Sequence, residues 1–113
     1  MNKTHYNTAK VRPPAVAGSF YPASASRLQQ DINDYLKQAK QQLQQQAELK
    51  PLLAQPPLAL IVPHAGYMFS GPIAASAYAL LAEWKGRISR VVLLGPVHRV
   101  AVAGIALPSV NFF

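Results

Sequence analysis

The stretch LALIVPHAGYMFSGPIAASAYALLAEWKGRISRVVLLGPVH, residues 58–98, decides the fold that we expect for this chain. It contains two short runs that are almost wholly apolar, residues 58–62 and 90–94, and each is soon followed by a proline and a histidine. Continuous apolar runs of this length are typical of strands that are covered on both faces, as in a parallel sheet. The stretch therefore predicts two buried strands.

The residues between these two runs predict a helix. Pro72 suits the first turn of a helix, Ser70 or Gly71 can cap it, and Gly86 stands where a helix would stop. A strand, a helix and a second strand form a βαβ unit, which is almost always right-handed with parallel strands. We therefore predict an α/β fold, a βαβ unit of a mostly parallel sheet flanked by helices, which forms an incomplete portion of a larger domain.

A longer helix is predicted upstream, over residues 24–49. Ser24 or Ser26 can cap its start, and Pro51 cannot continue it. Its apolar residues recur at steps of three and four, which gives a single apolar stripe. The stripe consists of Leu28, Ile32, Tyr35, Leu36, Ala39 and Leu43.

Composition and charge narrow the class of protein. Apolar residues make up 50% of the 113 residues and charged residues 13%, which favours a buried core over disorder. The net charge is +7, yet the basic residues are scattered along the chain, which argues against a nucleic-acid surface. There is no cysteine, so this chain contains neither a disulfide nor a thiolate ligand. The polar start lacks a secretion signal, and the apolar residues 72–82 are too few to cross a bilayer, so we predict a cytoplasmic protein that does not enter the membrane.

Two histidines stand just beyond the predicted strands. His64 follows the first strand and His98 follows the second. Ligands bind at the carboxyl edge of open α/β sheets, and neighbouring strands lie roughly 4.8 Å apart, so two imidazoles there can meet at one ion. The helix amino terminus at the same edge would favour an anion. The alternative for each histidine is an ordinary hydrogen-bonded loop residue.

Several strings in the chain are similar to the MEMO family, whose prokaryotic members are known as AmmeMemoRadiSam system protein B. The matching residues are Arg12-Pro13, Val16-Ala17-Gly18-Ser19-Phe20-Tyr21-Pro22, Ile61-Val62-Pro63-His64-Ala65-Gly66-Tyr67, Ser70-Gly71 and Val92-Leu93-Leu94-Gly95-Pro96-Val97-His98. The resemblance implies that residues 12–113 are the amino-terminal part of a MEMO-like domain, preceded by a flexible lead-in at residues 1–11.

The resemblance also implies a fold like that of class III extradiol dioxygenases, in which two histidines and a carboxylate hold non-haem Fe(II). The corresponding pocket in the MEMO family is expected to bind iron or copper. His64 and His98 would then be metal ligands, while Phe20 and Tyr67 would line the pocket, with a plain core role as the alternative for Phe20.

The third ligand of the family's pocket is expected from a portion of the family sequence that this chain does not contain. The four acids present are Asp31, Asp34, Glu48 and Glu83, and none stands next to a histidine in sequence. The residues do not decide between an enzyme and a binding protein. Three functions stay open: part of a metal-binding protein, a non-catalytic module for a peptide or small anion, and an inactive fragment that lacks the carboxy-terminal half of its domain.

Overall fold

The computed structural model describes residues 10–112, which fall into two compact units. One unit comprises Val16–Val91 and contains every helix of the described chain. The other comprises the described parts of Met1–Ala15 and Val92–Phe113. Residues 1–9, which hold most of the predicted lead-in, lie outside the described residues.

Helix α1 spans Ala25–Gln45 and confirms the predicted long helix. The Ser24 side chain caps it by accepting a hydrogen bond from the Arg27 backbone N–H at 3.4 Å. The predicted apolar stripe is the covered face, with Ala39 and Leu43 buried and the other stripe residues partly buried. The chain then tightens into a 3₁₀ segment, Ala47–Leu53, which contains Pro51.

Helix α2 spans Tyr67–Tyr78, so the prediction that this helix starts at Pro72 was wrong. Gly66 is its N-cap, and the Gly66 carbonyl accepts hydrogen bonds from the backbone N–H groups of Phe69 and Ser70. The Tyr67 N–H, which has no partner within the helix, donates to the Phe20 carbonyl at 2.7 Å. This distant backbone contact satisfies the first turn and lets the helix begin five residues early, with Pro72 inside it.

A second 3₁₀ segment, Ala79–Trp84, continues α2 directly. Gly86 follows it with φ of +81°, a left-handed conformation that favours glycine. The predicted helix stop at Gly86 is therefore confirmed.

α1 packs against small residues of α2 and of the 3₁₀ segment that continues it. Ala75 and Ala79 are buried against Ala39 and Leu43 of α1 and form the core of this unit. Gly71 lies one turn before Ala75, and a Cβ built on it would lie 2.6 Å from the Tyr35 ring. Larger apolar side chains of α2, including Met68, Phe69 and Ile73, are exposed instead. The close approach of α1 therefore depends on the small side chains of α2.

The two predicted strands lie in neither a helix nor a hydrogen-bonded ladder of the described chain. Leu58 and Ile61 of the first are fully exposed, and residues 91–94 of the second are largely exposed. In residues 10–112, β pairing consists of two isolated parallel bridges, Val11 with Phe112 and Ala17 with Tyr21. The parallel α/β sheet stays a prediction. A strand of such a sheet needs neighbouring strands to pair with and cover on both of its faces.

No helix among residues 10–112 is long and apolar enough to span a membrane.

Candidate functional site

His64 lies in an exposed turn that leads directly into α2. Two residues, Ala65 and Gly66, separate it from the first helical residue. The Ser70 hydroxyl donates a hydrogen bond to the Ala65 carbonyl at 2.7 Å and also approaches the Gly66 carbonyl at 3.3 Å. The backbone that carries His64 is thus held from within the first turn of the helix.

A second fixed loop, residues 16–21, lies against this turn. The Val16 carbonyl accepts the N–H groups of Ser19 and Phe20, and the Gly18 N–H donates to the Tyr21 carbonyl at 2.7 Å. Gly18 has φ of +84°, so the tight turn depends on a residue that tolerates the left-handed region. The loop presents the Phe20 carbonyl to the start of α2.

Phe20 and Tyr67, the two predicted pocket-lining residues, are brought together by that backbone contact. The Tyr67 N–H donates to the Phe20 carbonyl, while the Phe20 side chain is 48% exposed. The Tyr21 ring packs against the Tyr67 ring, with centroids 5.7 Å apart and planes tilted by 52°. Sequence reasoning missed Tyr21 as a neighbour of the histidine turn, although it stands in the same string as Phe20.

The amino terminus of α2 differs from the one predicted. It lies next to His64 rather than after Gly71. Two of its first three N–H groups are engaged, since the Tyr67 N–H donates to the Phe20 carbonyl and the Phe69 N–H donates to the Gly66 carbonyl. This arrangement leaves less donor capacity for an anion than a helix beginning at Pro72 would offer.

His98 is exposed and belongs to the other compact unit. The meeting of His64 and His98 at one ion stays a prediction.

The donor types fit part of an iron or copper site. Imidazole nitrogen suits both metals, so the two histidines can supply two ligands. The described residues contain no cluster of three or more histidine, cysteine or acidic side chains. Two of the acids have other partners, Asp31 with Arg27 at 2.8 Å and Glu83 with Lys40 at 2.9 Å. The donor set therefore fits the metal without completing its coordination among these residues.

The helical unit also has an open apolar groove of about 660 Å³ between α1 and the segment that follows α2. Lys37, Lys40 and Lys85 are among its lining residues, and no predicted site residue is. Trp84 lines it as well, with a buried Nε1–H that has no hydrogen-bond acceptor within the described chain, and the Arg87 guanidinium lies 4.8 Å from the Trp84 ring centroid. This groove could not be predicted from the sequence, because it forms between α1 and residues 78–91, which are far apart along the chain.

A family model described as Memo-like protein matches residues 12–112. A MEMO1 family protein of Pyrobaculum arsenaticum is 41% identical over 98 residues, which cover 87% of this chain and 34% of that protein. A MEMO1 family protein of Ignicoccus hospitalis is 42% identical over 88 residues, which cover 78% of this chain and 30% of that protein. Protein MEMO1 of Xenopus tropicalis is 36% identical over 107 residues, which cover 95% of this chain and 32% of that protein.

The chain spans about a third of the length of these curated relatives. No solved structure matches it.

Proposed function

The chain belongs to the Memo-like protein family, and we propose that it supplies two ligands, His64 and His98, to a metal site that holds iron or copper. The site would lie at the edge of an α/β sheet, as in class III extradiol dioxygenases. Further ligands would come from outside the present residues. Such a metal site is compatible with either role of the whole protein, as an enzyme or as a binding protein.

The observation that carries the proposal is the anchored turn at His64. Hydrogen bonds from Ser70 to Ala65 and from Tyr67 to Phe20 fix the backbone on both sides of the helix start. A metal ligand benefits from such restraint, because a preorganised donor loses less freedom when the ion binds. His64 is also exposed at this turn, so an ion can reach it.

The chain's own residues would do three things at such a site. The two imidazoles would bind the ion through one ring nitrogen each, Phe20 and Tyr67 would border it, and the fixed turn would hold one ligand in place. The metal, when bound, would supply Lewis-acid or redox chemistry. Copper(II) is the most informative probe, since it binds imidazole more tightly than the other divalent first-row metals.

The proposal is tested by titrating the purified chain with copper(II) in an isothermal calorimeter. We expect His64→Ala and His98→Ala each to weaken binding by roughly tenfold or more, since each removes one of two ligands. The third histidine of the chain provides a matched control, and His5→Ala should leave the strong binding event unchanged. Equal copper affinity in all three variants would refute the proposal.

The second candidate, binding of a peptide or small anion without a metal, depends on the amino terminus of α2, which follows His64 after two residues. The engaged N–H groups at that terminus weigh against it. Titration with inorganic phosphate in the presence of a chelator separates the two candidates. We expect no heat of binding, and salt-sensitive binding that survives chelation would favour the anion site.

A further inference from the structure

Ser70 is the only polar residue among residues 10–112 that is buried as a whole, with 5% of its surface exposed. A buried hydroxyl is costly unless it is hydrogen-bonded, so its partners indicate why it is tolerated there. The hydroxyl donates to the Ala65 carbonyl at 2.7 Å and lies 3.3 Å from the Gly66 carbonyl.

The shorter of these two contacts is not the usual one for a helical serine. Serine in a helix commonly bonds to the carbonyl three or four residues earlier. Ser76 of the same helix does so, with its hydroxyl 3.2 Å from the Pro72 carbonyl. Ser70 instead bonds most closely to Ala65, five residues earlier and one residue before the N-cap. That carbonyl lies outside the helix, so the bond fixes the loop and not the helix itself.

Ser70 is itself held in place by the packing of the two helices. Its neighbour Gly71 lies so close to the Tyr35 ring of α1 that a Cβ at this position would approach a ring carbon to 2.6 Å. α1 thus sets the position of the first turn of α2, and the Ser70 hydroxyl extends that restraint to the residue next to His64.

We infer that Ser70 is a positioning residue for metal binding, which acts by holding the His64-Ala65-Gly66 turn in its ligating conformation. The inference rests on the proposed metal site and adds to it a residue that does not touch the ion. Partners behind a metal ligand typically change metal affinity by about 10- to 100-fold when they are removed.

The test measures copper(II) affinity by calorimetry and copper coordination by electron paramagnetic resonance on the full chain. Ser70→Ala should weaken binding about tenfold and alter the copper hyperfine pattern. Ser76→Ala, which removes the ordinary hydroxyl contact of the same helix, should leave both unchanged. Circular dichroism checks that α1 and α2 persist in each variant.

A pair of variants with the same shape guards against a folding defect in Ser70→Ala. Ser70→Thr keeps the hydroxyl and Ser70→Val replaces it with a methyl group, so the threonine variant should bind copper several-fold more tightly than the valine variant. Equal affinity in these two variants, or equal losses in Ser70→Ala and Ser76→Ala, would overturn the role of Ser70. Failure of the unsubstituted chain to bind copper would instead refute the metal site itself, and this inference with it.

Discussion

The α1–α2 pair and the two apolar runs, residues 58–62 and 90–94, differ in whether their apolar side chains are covered. The helices bury Ala39, Leu43, Ala75 and Ala79 against each other. The apolar runs leave most of their side chains exposed to solvent. The difference shows that this chain contains the partners its helices need and does not pair its predicted strands within the described residues.

The physical reason is where each element finds its hydrogen bonds. A helix pairs its own N–H and C=O groups and needs only one covered face, which α1 and α2 provide for each other. A strand must pair with a neighbour on its edge, and a parallel strand must be covered on both faces. The stability of the chain should therefore reside in the helix pair.

The largest expected effect contrasts one leucine from each region. Leu43 is only 7% exposed in the helix core, and Leu43→Ala should lower the free energy of unfolding by about 2–4 kcal/mol through lost burial and a cavity. Leu58 is fully exposed, and Leu58→Ala should change the free energy of unfolding by less than about 0.5 kcal/mol. Urea denaturation followed by circular dichroism measures both, and similar losses in the two variants would erase the contrast.

A glycine pair sharpens the same contrast. Gly71→Ala should lower the free energy of unfolding by about 1–3 kcal/mol, because the new methyl group would lie only 2.6 Å from the Tyr35 ring of α1. Gly95→Ala is the matched control, since a Cβ there would have no neighbour within 4 Å. If Gly71→Ala proves as stable as the parent chain in urea, the close helix contact is not present in solution.

A smaller effect is expected beyond the end of the helices, where Arg87 lies over the Trp84 ring. Arg87→Gln should reduce stability by about 0.5–1 kcal/mol through loss of the cation–π contact. Arg99→Gln makes the same change of charge in the other unit and is the control. Equal urea midpoints for the two variants would show that the ring contact contributes nothing.

The smallest effect concerns the ion pair between Lys40 of α1 and Glu83 of the second 3₁₀ segment. Both side chains are about half exposed, so Glu83→Gln should lower the free energy of unfolding by no more than about 0.5 kcal/mol. The loss should shrink as sodium chloride is added, because salt screens exposed charges. A loss that persists at high salt would indicate that the Gln substitution acts through packing instead.

The sequence predicted those features that depend on local pattern. The stripe from Leu28 to Leu43 and the cap at Ser24 identified α1, and Gly86 marked the end of the second helical region. The start of α2 could not be predicted, because it depends on the Tyr67 N–H bonding to Phe20, which is distant in sequence. The burial of small rather than large residues on α2 could not be predicted either, because it depends on the close contact between Gly71 and the Tyr35 ring of α1.

The candidate site likewise has residues that the sequence predicted and a contact that it could not predict. The family strings singled out His64, Phe20 and Tyr67. In the structure His64 and Tyr67 lie on either side of the N-cap of α2, and the Phe20 carbonyl reaches this helix start from the loop of residues 16–21. The contact that Ser70 makes could not be predicted from the sequence, where Ser70 was a candidate helix cap and part of a string that matches the family. Its contact with Ala65 becomes apparent only because the helix begins before it.

The central claim is that His64 and His98 share a single ion, and copper stoichiometry tests it most directly. In a His5→Ala background, calorimetry should give one strongly bound copper(II) per chain. Removing either of the two remaining histidines should weaken that single event by roughly tenfold or more, because each supplies a ligand to the same ion, and removing both should eliminate it. Two ions per chain, falling to one in each single variant and to none in the double variant, would contradict the account.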